Sequence, residues 1–178
     1  MKPAFCLLGV LGVLAVGLPA LAADIPGAPP EVQQAFEQLK TYDYDQPRKP
    51  LATLELLIAK AAGNPDQKKA VAERLGALLA DPATSLATKQ FVCEQLLLVG
   101  TDAHVPTLVK MLGDPKTAEM ARQALQGIPG DASLQALREA LASQKGRALA
   151  GVINSLGIRR DAASAAALAQ RLGDADAE

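Results

Sequence analysis

The stretch of sequence that decides the fold is Leu112-Gly113-Asp114-Pro115. A leucine ends one helical pattern, a small residue interrupts it, and an Asp-Pro pair begins the next. The same order recurs as Leu79-Ala80-Asp81-Pro82, as Leu141-Ala142-Ser143 and as Leu172-Gly173-Asp174, so successive leucines lie 33, 29 and 31 residues apart. A unit that recurs about every 30 residues is typical of a repeat architecture, in which each unit buries its apolar face against the next.

The composition predicts an all-α fold. Of the 178 residues, 49% are hydrophobic, yet only 3% are aromatic and tryptophan is absent. Alanine and leucine therefore supply most of the apolar surface, and both residues have a high helix propensity. Residues that favour strands are too sparse to build a sheet.

Residues 1–23 have the layout of a secretory signal peptide. Lys2 precedes a run of 14 apolar or glycine residues over positions 5–18, and Ala20-Leu21-Ala22 places small residues where a signal peptidase reads them. The run is shorter than the roughly 20 residues that a membrane-spanning helix needs, and an uncleaved anchor is the alternative. We predict cleavage after Ala22 or Ala23, a periplasmic or secreted location, and no stable membrane insertion after cleavage.

The charge of the mature chain excludes one class of partner. Removal of residues 1–23 takes away one of the 18 basic residues, Lys2, and leaves 17 basic and 19 acidic residues with a net charge of −2. This balance does not favour nucleic acid as a partner. Cys93 becomes the single cysteine, so no intramolecular disulfide can form. Its apolar helical context predicts a buried small side chain, and a reactive thiol is the alternative.

We predict a Pro-rich lead-in over residues 24–30 and a helical repeat domain over residues 31–178. The first helices are expected over residues 31–40, 51–62, 66–80 and 81–99, and shorter helices follow with the same punctuation. The sequence after Asp174 has the pattern of a helix start without a helix body. The last repeat is therefore predicted to be incomplete, and the natural protein is expected to continue.

Superposing the units predicts which residues cap the helices and which form the apolar core. The residues that follow each marker leucine by two positions are predicted to cap the next helix through a side-chain oxygen: Asp81, Asp114, Ser143 and Asp174. Leucines at equivalent positions are predicted to form a continuous apolar ladder. On the fourth helix Leu86 and Leu97 are expected to point inward, and Leu98 is aligned with Leu125 and Leu156.

These features resemble short HEAT-like repeats, the variety first recognised in phycobilin lyases. The resemblance rests on the paired short helices, the period of 29–33 residues and the Asp-Pro helix start, and it is clearest from residue 80 onward. It implies a right-handed α-solenoid of antiparallel helix pairs that acts as a protein-binding scaffold. The lyase activity is not carried over, because no residue matches a catalytic or bilin-contacting position.

The sequence offers no catalytic constellation. His104 is the only histidine and Cys93 the only mature cysteine, whereas metal sites and catalytic triads need several convergent groups. No Gly-rich phosphate loop is present. We therefore predict a protein that is not an enzyme and that carries no metal or cofactor.

One recurrent surface feature is basic. Lys89, Lys116 and Arg147 recur at spacings of 27 and 31 residues, early in the predicted second helix of each pair. In stacked repeats they would form a ridge for an acidic partner segment, and Arg159 with Arg160 would extend it. The competing interpretation is a set of solvated charges that keep an Ala/Leu-rich protein soluble.

Three functions follow from these patterns. The first is an exported, non-enzymatic scaffold that holds a protein or peptide partner in a helical groove. The alternatives are the accessory N-terminal repeat region of a larger exported enzyme, sugar-active or redox, and a lyase-like or chaperone-like HEAT protein.

Overall fold

A computed structural model describes residues 25–171 of the chain. Within them lie nine α-helices and no strand, which confirms the predicted all-α class: α1 Pro30–Leu39, α2 Lys49–Ala61, α3 Pro65–Ala80, α4 Leu86–Val99, α5 Val105–Met111, α6 Ala118–Gly127, α7 Asp131–Ser143, α8 Gly146–Ile158 and α9 Ala165–Arg171. Short 3-10 turns, Asp102–His104 and Ala162–Ser164, precede α5 and α9. The predicted signal peptide and the predicted incomplete last repeat, including Asp174, lie outside the described residues.

The helices contact one another in a regular order. The even-numbered helices α2, α4, α6 and α8 form one contacting series, and α3, α5 and α7 form another. Each of α1, α3, α5 and α7 also contacts the helix that follows it. Because the most extensive contacts join helices one or two places apart, apolar burial is mostly local to each unit and its neighbours.

The marker leucines form the core that the repeat predicts. Leu79, Leu112 and Leu141 are buried, and Leu108 and Leu137 are fully excluded from solvent. Burial of each such side chain stabilises the folded protein by about 1.5–3 kcal/mol relative to leaving it in water. The leucine ladder is therefore confirmed for these positions.

The fourth helix corrects part of the predicted core. Leu98 is 63% exposed, and Leu86 and Leu97 are also exposed, whereas Val92 and Leu96 are buried. Successive residues of a helix are rotated by about 100°, so Leu98 lies on the face opposite to Leu96. The alignment of Leu98 with the buried Leu125 and Leu156 was therefore wrong.

The Asp-Pro pairs form turns and not helix caps. Asp81 Oδ1 accepts a hydrogen bond from Ala83 N–H at 2.9 Å, and Asp114 Oδ1 accepts one from Lys116 N–H at 2.9 Å. Each aspartate therefore closes a local turn with the residue two places on, as aspartate commonly does. Helix α4 begins only at Leu86 and α6 only at Ala118, so the caps predicted at Asp81 and Asp114 were wrong.

A buried threonine completes each of these turns. Thr84 Oγ1 donates to the carbonyl of Leu78 at 2.7 Å, and Thr117 Oγ1 donates to the carbonyl of Met111 at 2.8 Å. Both bonds return to the carbonyl six residues earlier, at the end of the preceding helix. The repeated structural element is thus Asp-Pro-x-Thr. Ser143 departs from this pattern, because it is the last residue of α7 and was wrongly predicted as a cap.

A buried arginine anchors the first helix. The side chain of Arg74 on α3 is almost fully buried, and its guanidinium carbon lies 4.3 Å from the centre of the Phe36 ring on α1. A desolvated cation over an aromatic face is a favourable electrostatic contact. The helical spacing of apolar residues gave no sign of this position.

Candidate functional site

The three cations of the predicted ridge lie in different settings. Lys89 is the fourth residue of α4 and is half-buried, Lys116 is exposed in the turn before α6, and Arg147 is the exposed second residue of α8. Lys116 lines a cavity between α4 and α6, whereas Arg147 lines a larger one between α6 and α8. Lys89 lines neither of these two cavities. The common partner surface stays a prediction, since the three residues do not share one helix position.

The larger cavity is a groove of about 1050 Å3 between α6 and α8. The residues that matter in this α6–α8 groove are Leu112, Ala118, Glu119, Arg122, Lys145, Arg147, Ala148, Gly151, Val152 and Asn154. Leu112 and Val152 are buried at its base. Gly113 and Pro115, which follow Leu112, also line the groove, as do residues 143–145 before α8.

Arg122 lies in the wall of the groove, and its guanidinium is bound on both sides. On one side Nη1 donates to Gln126 Oε1 at 3.1 Å and to Ser155 Oγ on α8. On the other, Nε donates to Glu119 Oε2 at 2.9 Å, and Nη2 donates to Glu119 Oε1. This two-point contact with a carboxylate is the geometry for which a planar guanidinium is suited.

Gly151 makes room for this arginine. A Cβ atom at position 151 would lie 2.8 Å from Arg122 Nε and 3.0 Å from Arg122 Cδ. Any larger residue at position 151 would therefore require the side chain of Arg122 to move. The absence of a side chain at Gly151 is what allows Arg122 to pack between α6 and α8.

The charges of the groove are unequal. Its lining carries three cations, Arg122, Lys145 and Arg147, and one carboxylate, Glu119. Hydrogen bonding from Arg122 lowers the pKa of Glu119, which holds this side chain in the charged form. Within residues 25–171, Lys145 and Arg147 have no carboxylate within ion-pair distance. The net charge of the lining is therefore +2.

The single histidine and Cys93 are both used in packing. His104 is buried, with Nε2 donating to the carbonyl of Ala72 at 2.9 Å and Nδ1 accepting from Thr101 N–H at 3.1 Å. Cys93 is buried as predicted, and burial raises the pKa of its thiol to about 12. In the described part of the chain, no three His, Cys, Asp or Glu residues come together to hold a metal ion.

Arg159, which the sequence offers as an extension of the ridge, binds backbone carbonyls of the turn between α6 and α7. Its guanidinium donates to the carbonyls of Ile128 at 2.6 Å and Gly130 at 3.1 Å, and also reaches the carbonyl of Leu125 at the end of α6. The cation binds the Leu125 carbonyl in the last turn of α6, and it shares the carbonyls of Ile128 and Gly130 with the hydroxyl of Ser133. Arg160, the next residue, is exposed.

Comparison with protein-family models, with curated proteins and with solved structures finds no match to this chain. The HEAT-like resemblance therefore rests on the residues quoted for it. Across residues 25–171, none of the helices combines the length and the apolar character needed to cross a bilayer.

Sequence reasoning missed Arg122, although a signal for it existed. Counting five residues from each threonine of the Asp-Pro-x-Thr element pairs Lys89 with Arg122 and not with Lys116. The basic position that recurs after the threonine is therefore occupied by Lys89 and Arg122, and Lys116 does not belong to it. The depth of Arg122 in the groove and its contact with Gly151 have no counterpart in the sequence pattern, because they depend on how closely α8 approaches α6.

Proposed function

We propose that this chain is an exported, non-enzymatic scaffold that binds a segment of a partner protein in the α6–α8 groove. The proposed architecture is a right-handed α-solenoid of antiparallel, HEAT-like helix pairs. Two features support it: the Asp-Pro-x-Thr element that repeats after 33 residues, and the two series of contacting helices. Export, to the periplasm or outside the cell, is inferred from the sequence of residues 1–23.

The groove itself is the observation that carries the function. A concave site of about 1050 Å3 is at the upper end of the range in which proteins bury compact ligands, and it can accept a few residues of an extended chain. Its base is apolar at Leu112 and Val152, and its rim is charged at Lys145 and Arg147. An apolar base with a few charged groups at the edge combines affinity with orientation.

Site-specific photocrosslinking in the producing cells tests this function. A photoreactive amino acid would replace Asn154, which is exposed and lines the groove, and Leu56 on α2, which is exposed elsewhere, would serve as the control position. We expect a discrete adduct with one partner protein from position 154 and none from position 56.

A second variant makes the result specific to the groove. Ala148→Trp would fill the space between α6 and α8 and should abolish the adduct from position 154. No adduct from position 154, or equal adducts from positions 154 and 56, would contradict the proposal.

A further inference from the structure

We propose that Arg122 recognises a carboxylate of the partner segment, and that Glu119 occupies this recognition site until the partner binds. The inference rests on the proposed function of the α6–α8 groove and deepens it, because it states which chemical group of the partner is read. The occupant is an extended acidic segment of a partner protein. In the free protein, Glu119 takes the place of one acidic side chain of this partner segment.

The two partners of this ion pair are held very differently. The side chain of Arg122 is 8% exposed, whereas that of Glu119 is 62% exposed. Gln126 and Ser155 bind Nη1 of Arg122 from the side away from Glu119, and Gly151 leaves the space in which the guanidinium lies. The arginine is thus positioned in advance, independently of the carboxylate it contacts.

Glu119 is easily displaced. It lies three residues before Arg122 on the same helix, and its only other side-chain contact among the described residues is a hydrogen bond from Gln123 Nε2 at 2.9 Å. An exposed carboxylate loses little when it rotates into water, because water replaces the protein donors. A partner carboxylate that takes its place keeps both bonds to Nε and Nη2.

The remaining charges of the groove favour an acidic segment. Lys145 and Arg147 lie at the lip that α8 contributes, and neither is neutralised by a carboxylate among residues 25–171. A segment with one acidic residue on Arg122 and another near Lys145 or Arg147 would neutralise the net positive lining. Charge complementarity of this kind selects partners and raises the rate of association.

The test compares two charge-neutralising variants, one inside the groove and one outside it. Glu119→Gln removes the internal carboxylate from Arg122. Glu139→Gln removes an equally local one on α7, where Glu139 accepts from Gln135 at 3.0 Å and lines neither the α6–α8 groove nor the α4–α6 cavity. Binding is measured by fluorescence anisotropy with a labelled peptide of alternating Glu and Ala, and with its counterpart in which Gln replaces every Glu.

We expect Glu119→Gln to bind the Glu-containing peptide about two- to fivefold more tightly than the unmodified protein, since the exposed carboxylate that competes for Arg122 is removed. Glu139→Gln should bind it unchanged, and the Gln-containing peptide should bind more weakly to all three proteins. A structural role for Glu119 alone would leave the affinity unchanged or lower it, and either result overturns the inference. Absence of binding by the Glu-containing peptide also overturns it.

The outcomes separate this inference from the proposed function. Equal binding of both peptides to the groove, with no effect of Glu119→Gln, would leave the groove as a docking site and remove carboxylate recognition. The photocrosslink from position 154 tests the docking site without any assumption about the charge of the partner.

Discussion

Arg138 on α7 and Asp161, which follows α8, form a two-point ion pair that joins neighbouring units. Arg138 Nε donates to Asp161 Oδ2 at 2.8 Å, and Nη2 donates to Oδ1. The side chain of Asp161 is buried by this contact, and its backbone carbonyl accepts from Ser164 N–H at 3.2 Å at the start of the turn before α9. The aspartate therefore connects α7 to the beginning of α9, and its side chain does not cap a helix.

The stability of this connection should depend on pH. Hydrogen bonding from Arg138 lowers the pKa of Asp161 from its usual value of 3.8. A depressed pKa in the folded state means that the stabilisation is present above about pH 5 and is lost as the pH falls through the folded-state value. Asp161→Asn should lower Tm at pH 7, and the difference from the unmodified protein should shrink as the pH falls and the carboxylate is protonated, as followed by circular dichroism. Asp45→Asn, at an exposed position, is the control, and an equal Tm loss in both variants would argue against the pair.

Two glycines of α8 should respond in opposite ways to alanine. Gly151→Ala would place Cβ 2.8 Å from Arg122 Nε, whereas a Cβ at Gly157 meets nothing within 4 Å. Alanine gains about 1 kcal/mol of helix propensity at either site, but overpacking costs about 1–3 kcal/mol at position 151 only. Urea denaturation should therefore show a more stable Gly157→Ala and a Gly151→Ala that is less stable or at best neutral. Similar gains in the two variants would show that Arg122 is not confined by Gly151.

The threonine of the Asp-Pro-x-Thr element should contribute through its hydroxyl group. Thr117→Val keeps the shape of the side chain but removes one of the two donors to the carbonyl of Met111, which retains the N–H of Asp114 at 3.3 Å. The loss of such a hydrogen bond costs about 0.5–1.5 kcal/mol. The free energy of unfolding should fall by that amount. Thr117→Ser keeps the hydroxyl and should recover most of the loss. If Thr117→Val loses no more stability than Thr117→Ser, the hydrogen bond is unimportant.

Adjacent arginines after α8 should differ in importance. Arg159→Gln removes the donors to the carbonyls of Leu125, Ile128 and Gly130, and we expect a loss of about 1–2 kcal/mol in unfolding free energy. Arg160→Gln changes an exposed side chain one residue away and should be neutral within about 0.5 kcal/mol. Chemical denaturation of the two variants side by side measures the contrast, and equal effects would refute the capping role of Arg159.

Charge reversal distinguishes the groove from the ridge. The double variant Lys145→Glu with Arg147→Glu reverses the groove rim, whereas Lys89→Glu with Lys116→Glu reverses two members of the predicted ridge outside it. Binding of the Glu-containing peptide, measured by anisotropy, should weaken by about tenfold or more in the first variant and by less than twofold in the second. The reverse order would favour the ridge as the partner surface.

The helices and their buried leucines could be predicted because they depend on short-range patterns. Leu108 and Leu137 repeat within helices whose apolar faces recur every three or four residues, and burial follows from that spacing. Helix starts were predicted less well. Asp114 has the side chain of a cap, yet Pro115 and Thr117 commit it to a turn, and the choice between the two uses of the same oxygen depends on the neighbouring carbonyl of Met111.

The sequence by itself determined the helical class and most leucines of the core, since helix propensity and periodicity act along the chain. Only the tertiary structure decided which cation matters. Arg122, not Lys116, enters the α6–α8 groove, because Gly151 on the neighbouring helix leaves space for it and Ser155 binds it there. Those contacts join residues about 30 positions apart in the sequence. They depend on the distance between α6 and α8, which no local sequence pattern encodes.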